Sequence, residues 1–140
     1  MEFWTESVQN KTVSEQSDFL NLITPKTLAC LWVSEEPLYK RESPFQWFNY
    51  LLDGNLEAHL KHLPANEKSF FTVNHYGETF YLLQVEKSFP DINKAVKEAF
   101  QIIKPQNEKK EVLCLGHNPQ HFSLPYLKQN KEVSFETVLY

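Results

Sequence analysis

Hydrophobic residues along this 140-residue chain recur with two periods, one typical of strands and one of helices. Strand-like runs cover residues 27–33, 69–74, 78–86, 111–115 and 132–140. The first run is almost continuously apolar, which predicts a central strand covered on both faces. The second and third are separated by His75-Tyr76-Gly77, which predicts a β-hairpin. Alternation in the last run predicts a strand at or near an edge of the sheet.

Helical spacing appears in three segments, which cover residues 12 to about 24, 43–63, and 88 to about 104. Thr12-Val13-Ser14-Glu15 matches a capping box at the start of the first. Ser43-Pro44 opens the longest segment, with the serine as cap and the proline in the first turn. Gly54 lies in the middle of that segment and predicts either close packing against a strand or a local break.

The element order α-β-α-β-β-α-β-β predicts an α/β protein with a mixed sheet flanked by helices. A ferredoxin-like α+β sandwich is the alternative, because the central order β-α-β-β-α-β also fits it. The length predicts a single domain over residues 1–140, and residues 1–11 are expected to form a flexible arm.

Composition limits the kinds of partner and the cellular compartment that are expected. The net charge is −4 and no basic stripe is present, so neither nucleic acid nor a membrane surface is an expected partner. The N-terminus lacks the pattern of a secretory signal and no run is long enough to span a membrane, which predicts a cytoplasmic protein. Cys30 and Cys114 lie inside apolar runs and are predicted to be buried free thiols on strands.

Most site chemistries find little support in the sequence. The chain has 3 glycines and no Gly-x-Gly pair, so no phosphate-binding loop and no cofactor is expected. The apolar surroundings of both cysteines disfavour a reactive thiolate. Glu35-Glu36 follows the central strand and Asp53 precedes a glycine, but each is interpreted as a solvated carboxylate, and no catalytic residue is assigned.

The best metal-like spacing is Cys114-x-x-His117-x-x-x-His121, which offers three possible zinc ligands. A fourth would have to come from His59, His62 or His75. The apolar run around Cys114 favours a packed side chain instead, so these three residues remain weak metal candidates.

Aromatic residues surround the first half of the longest helical segment. Because Phe45, Trp47, Phe48 and Tyr50 cannot all face one sheet, either the helix is sandwiched inside the domain or one side meets a partner. Trp47 and Tyr50 are therefore candidate binding residues.

A separate set of candidate binding residues, Glu35, Tyr39 and His117, follows two of the predicted strands. If the strand ends meet at one edge of the sheet, these side chains would line a pocket for a small molecule beyond those ends.

Four short motifs carry a family resemblance: Glu36-Pro37-Leu38, Gln46-Trp47-Phe48, Leu52-Asp53-Gly54-Asn55-Leu56, and Tyr76-Gly77-Glu78 ahead of an apolar strand. Together they resemble the macro-like N-terminal domain of leucine aminopeptidases, in particular stand-alone bacterial relatives of that domain. The similarity spans roughly residues 28–116.

The resemblance implies a macro-like three-layer α/β sandwich. In the full enzymes this domain is non-catalytic and contributes to hexamer assembly, while the two-metal site lies in a separate domain. The first functional hypothesis is therefore a non-catalytic domain that acts through a protein partner or as a homo-oligomer. A small-molecule-binding module is the second hypothesis, and a metal-dependent hydrolase that uses His117 and His121 is the third.

Overall fold

A computed structural model describes residues 11–36, 39–63, 68–75, 77–103 and 109–140 of the chain. Its six strands are β1 (Lys11–Thr12), β2 (Thr27–Ser34), β3 (Ser69–His75), β4 (Glu78–Glu86), β5 (Glu111–Gly116) and β6 (Ser134–Leu139). Its five α-helices are α1 (Gln16–Leu20), α2 (Ser43–Leu51), α3 (Asn55–Lys61), α4 (Ile92–Ile102) and α5 (Pro125–Gln129). Short 3-10 turns cover Tyr39–Arg41 and Pro119–Phe122.

All six strands form one sheet in the order β1-β6-β5-β2-β4-β3. Every neighbouring pair is parallel except β3 with β4, which form the predicted antiparallel hairpin. The predicted α/β class with a mixed sheet is confirmed. The ferredoxin-like alternative is wrong, because β2 runs parallel to both of its neighbours, whereas an α+β sandwich requires an antiparallel sheet.

Helices cover both faces of the sheet, so the molecule has three layers. On the first face, α1, α2 and α3 pack over Cys30 and Trp32 of β2. On the second face, α4 and α5 pack over Leu31 and Val33 of the same strand. Every residue of β2 is buried, as the continuous apolar run predicted.

The segment predicted as one long helix is two helices, with the break at Gly54. Asp53 and Gly54 both have positive φ, 54° and 83°. The Gly54 N–H donates to the carbonyl oxygen of Asn49 at 2.8 Å, which closes the end of α2, and the Asn49 side chain accepts from the N–H of Glu57 at 2.9 Å. Of the two alternatives for this glycine, the local break is correct.

Replacing Gly54 with alanine is expected to lower the free energy of unfolding by about 1 kcal/mol. A Cβ at Gly54 would meet nothing within 4 Å, so the cost comes from the positive φ alone. Gly54→Asn should cost less, because asparagine adopts this conformation more readily. Urea unfolding of both variants measures the difference; equal losses would contradict a conformational origin.

The first part of the chain differs from its prediction. Thr12 lies in β1 and pairs with Leu139, so it does not cap a helix, and α1 begins at Gln16. Lys11, assigned to the arm, pairs with Val138, while residues 1–10 of that arm lie outside the described residues. The short helix α5 has no counterpart in the predicted order, because its five residues are too few to show a helical period.

Cys30 and Cys114 are free and buried, as predicted, and they face opposite helix layers. Burial raises the pKa of both thiols well above the ordinary range, which keeps them protonated and unreactive. No helix among the described residues combines the length and the apolar character needed to cross a membrane.

Candidate functional site

The parallel strands end along one side of the sheet, which we call the carboxyl edge. The residues that immediately follow β2, β4, β5 and β6 are Glu35, Lys87, His117 and Tyr140. Four separate segments of the chain therefore place a polar side chain at this edge.

The connections after β2 and β5 leave this edge in opposite directions. After β2 the chain crosses the first face through α2 and α3 toward β3. After β5, which lies beside β2, it crosses the second face through α5 toward β6. Such a topological switch point opens a crevice between adjacent loops, and it is where open α/β sheets bind their ligands.

Glu42 occupies the centre of the carboxyl edge. It directly precedes α2 and is 7% exposed. One carboxylate oxygen accepts from the backbone N–H of Glu35 at 2.8 Å, and the other accepts from the hydroxyl of Tyr140. The Tyr140 hydroxyl in turn accepts from the indole N–H of Trp32 at 2.9 Å. The buried carboxylate is thus bound by the loop after β2 and by the residue after β6, and the indole of β2 holds the tyrosine hydroxyl in place.

His117 lies beside this carboxylate and is more accessible. Its Nε2 is 3.7 Å from a carboxylate oxygen of Glu42, and its Nδ1 is 3.1 Å from the main-chain oxygen of Tyr140. The rings of His117 and Tyr140 are 4.3 Å apart. The side chain of His117 is 42% exposed and that of Glu42 only 5%, so the imidazole is accessible from solvent and the carboxylate beside it is not.

The rest of the carboxyl edge is strongly acidic. Glu35 binds Lys87 at 2.8 Å, and this hydrogen bond is the main reason that the pKa of Glu35 is lowered. Glu36 accepts from the hydroxyl of Ser88. The pKa of Glu86 is raised by burial and by the neighbouring charges of Glu36 and Glu42.

Burial also raises the pKa of Glu42, against the hydrogen bonds from Tyr140 and Glu35 and the nearby His117, which lower it. The pKa of Tyr140 is raised by its own burial and by its hydrogen bond to Glu42. The Tyr140 phenol therefore stays protonated near neutral pH and keeps donating its hydrogen bond to Glu42. Chemically, the arrangement can accept hydrogen bonds from a ligand or exchange a proton with it.

The raised pKa of Glu42 predicts that stability falls as the pH rises from 5 to 8. The native state holds the Glu42 proton more tightly than the unfolded chain does, and this contribution to the free energy of unfolding is lost as the pH rises through the native pKa. The loss is about 1.4 kcal/mol for each pKa unit by which the native pKa exceeds the unfolded one. Glu42→Gln stays neutral and should have a flatter profile in urea unfolding. Because removing the charge of Glu42 also relieves the repulsion that helps to raise the pKa of Glu86, the variant should lose the pH dependence of both effects, and the two profiles should differ in slope. Parallel profiles would contradict the assignment.

The structure brings together three of the predicted binding residues. Glu35 and His117 lie at the carboxyl edge, and Tyr39 lies close enough to Glu86 for that charge to raise its pKa, after burial as the larger cause. Trp47 is not part of this group. The residue is 5% exposed, and its ring stacks on Phe19 at 5.2 Å in the first helix layer.

Tyr50 is 68% exposed, but it lies in the last turn of α2. Eight helical steps separate it from Glu42, roughly 12 Å along the axis. It is therefore not part of the carboxyl edge.

The weak metal candidates are not brought together. Cys114 is buried against the second helix layer, whereas His117 points to Glu42 and Tyr140. Among the described parts of the chain, no group of three His, Cys, Asp or Glu side chains is arranged to hold a metal ion. His59, one possible fourth ligand, packs edge-on against Phe71 at 5.0 Å.

Sequence reasoning missed Glu42, Tyr140 and Trp32, which build the centre of the carboxyl edge. Glu42 could have been noticed as a charged residue directly before a strong helix start, a position that lies near the strand ends in an α/β fold. Tyr140 and Trp32 carry no comparable signal, because each also fits an apolar strand pattern.

No protein-family model, no curated protein and no solved structure matches this chain. Its function has to be inferred from the geometry of the carboxyl edge.

Proposed function

We propose that this chain is a small-molecule-binding α/β domain whose ligand occupies the crevice at the carboxyl edge. The observation that carries the proposal is the buried carboxylate of Glu42. Removing a carboxylate from water costs several kcal/mol, which its hydrogen bonds only partly offset. A carboxylate with a raised pKa, placed at a topological switch point beside an accessible imidazole, is typical of a functional site.

The charges at the edge favour a ligand that carries an ammonium or another strong hydrogen-bond donor. Glu42 and Glu86 both resist ionisation, and a nearby cation would relieve that resistance. Lys87 is already paired with Glu35 and adds little positive field. An anionic ligand would meet repulsion here, which also argues against nucleic acid as a partner.

A thermal-shift screen at neutral pH with small amines and amino-group metabolites tests the proposal, because ligand binding to the native state raises the melting temperature. We expect at least one compound to raise it by about 2 °C or more. Glu42→Gln and His117→Ala should abolish the shift, while the matched control Glu15→Gln, at an exposed position in front of α1, should keep it. Shifts that survive both site variants, or no shift with any compound, would overturn the proposal.

We also propose a macro-like identity for the domain, as the sequence resemblance implies. A six-stranded mixed sheet with helices on both faces fits that architecture. A cytoplasmic location is proposed as well, and it is supported by two cysteines that are kept as free thiols.

Self-association is a second candidate function, and strand β3 favours it. Among the described residues β3 pairs with β4 alone, and its sequence Ser-Phe-Phe-Thr-Val-Asn-His has no Asp, Glu, Lys, Arg or Pro. Natural edge strands are usually protected by such residues. Because each copy would present the same strand, antiparallel pairing of β3 with β3 would join two sheets around a two-fold axis.

Light scattering after size-exclusion chromatography tests this candidate. The wild type should elute as a dimer, and Thr72→Lys, an exposed position in the middle of β3, should shift it toward the monomer. Thr79→Lys, on β4, is the matched control and should stay dimeric. A monomeric wild type would refute pairing through β3, and it would leave the ligand proposal unaffected.

A further inference from the structure

We propose a second ligand site, separate from the carboxyl edge, in the cavity between α4 and α5 on the second face. The cavity has a volume of about 890 Å³, within the range of small-molecule sites. Its walls combine aromatic rings, amide groups and lysines, which fits a small anionic molecule with a flat aromatic part.

The aromatic part of the cavity is held in place by its neighbours. The rings of Phe100 and Tyr126 lie 5.9 Å apart, and Phe100 also packs edge-on against Phe135 at 6.1 Å. The backbone N–H of Tyr126 donates to the side-chain oxygen of Asn93 at 2.8 Å, and Asn130 donates to the Tyr126 hydroxyl at 3.1 Å. These half-buried rings offer a preformed surface on which a planar group can stack.

The charge of the cavity is opposite to that of the carboxyl edge. Lys97 and Lys131 line it, and neither forms an ion pair with a described residue, whereas Glu132 is its one acidic lining residue. In a chain with a net charge of −4, two free ammonium groups beside an aromatic surface favour an anion at this position.

The amides give the site its geometry. Because the oxygen of Asn93 already accepts from Tyr126, its NH₂ group remains to donate. Gln129 and Asn130 also line the cavity. A carboxylate seated between the two lysines can therefore accept hydrogen bonds from an amide while its ring lies against Phe100 and Tyr126.

Isothermal titration with 2-naphthoate at low ionic strength tests the site, with the neutral 2-naphthamide as the comparison ligand. We expect saturable one-to-one binding of naphthoate and binding of the amide that is at least about fivefold weaker. The double variant Lys97→Gln/Lys131→Gln should weaken naphthoate binding about tenfold. The matched double variant Lys94→Gln/Lys128→Gln changes lysines of α4 and α5 that lie outside the cavity lining, removes the same charge and should bind like the wild type.

Backbone amide NMR shifts locate the ligand independently of affinity. Naphthoate should shift the signals of α4 and α5 and leave those of Glu35 and His117 in place. Equal losses in the two lysine variants, equal binding of the neutral amide, or shifts confined to the carboxyl edge would each overturn the inference. Because Glu42→Gln should bind naphthoate normally, failure of this site and failure of the carboxyl-edge site give different results.

Discussion

Replacing Phe48 with alanine is expected to lower the free energy of unfolding by about 3–5 kcal/mol. Phe48 is fully buried on the inner side of α2, where its ring meets Phe19 edge-on at 5.2 Å and Trp32 at 5.7 Å. The substitution removes a whole ring from a layer formed by α1, α2 and the sheet, and the aromatic neighbours cannot collapse into the space without losing their own contacts. Urea unfolding followed by far-UV circular dichroism measures the loss.

Tyr50→Ala is the matched control, since it removes an aromatic ring from the same helix. At 68% exposure the ring contributes little to the core, and we expect a change within about 0.5 kcal/mol. If this variant lost as much stability as the Phe48 variant, then α2 would bury its outer side against another surface, such as a second copy. The pair therefore also tests whether Tyr50 belongs to an interface.

The comparison of α2 with its prediction shows what periodicity can determine. The sequence showed aromatic residues around the whole circumference of the helix, and it left a buried helix and an interface as alternatives. In the structure most of these aromatic side chains are buried inside the domain, because α1 supplies a second apolar surface in addition to the sheet. Trp47 stacks on Phe19 there, and Phe48 faces the sheet. The sequence did not show where α1 packs, because a helix of five residues has too short an apolar pattern to indicate the surface that it contacts.

The strands were predictable because buried parallel strands need continuous apolar runs and hairpins need turn residues. Gly77, with a φ of 82°, occupies such a turn between β3 and β4. The order of the strands was less accessible. Placing β5 and β6 beside β2 on one side, with β4 and β3 on the other, depends on crossover connections that local sequence does not encode.

The candidate site was predictable only where a residue closely follows a strand as the sequence predicts it, and Tyr140 lay inside its predicted strand. Glu35 and His117 met that condition. The centre of the carboxyl edge did not, because Tyr140 reaches Glu42 across 98 residues of sequence and Trp32 across 108. Contacts of that separation exist only once the sheet order is set. The same order explains why Cys114 and His117, which are close in sequence, cannot cooperate as metal ligands, since one faces the second helix layer and the other lies at the carboxyl edge.

Tyr140→Phe is expected to cost about 2–4 kcal/mol of unfolding free energy at pH 8, and less at pH 5. The substitution removes the hydroxyl that donates to the buried carboxylate of Glu42 and that accepts from the indole N–H of Trp32. The hydrogen bond from Tyr140 lowers the pKa of Glu42 in the native state. When it is lost, the native pKa of Glu42 rises further above its value in the unfolded chain. The native state then loses more stability as the pH rises through the native pKa, so the cost of the variant should grow with pH. Urea unfolding at both pH values measures it.

Two controls separate this network from the general effect of losing a tyrosine hydroxyl. Tyr39 is also half-buried, but its hydroxyl forms no hydrogen bond with a described residue, so Tyr39→Phe should change stability by less than about 0.5 kcal/mol at either pH. In the Glu42→Gln background, Tyr140→Phe should lose its pH dependence and cost only about 1 kcal/mol, because no carboxylate remains to be deprived of its donor. A cost for Tyr140→Phe that is equal at pH 5 and pH 8 would mean that Glu42 is not the charge this hydroxyl stabilises, and it would weaken the case for a ligand site at the carboxyl edge.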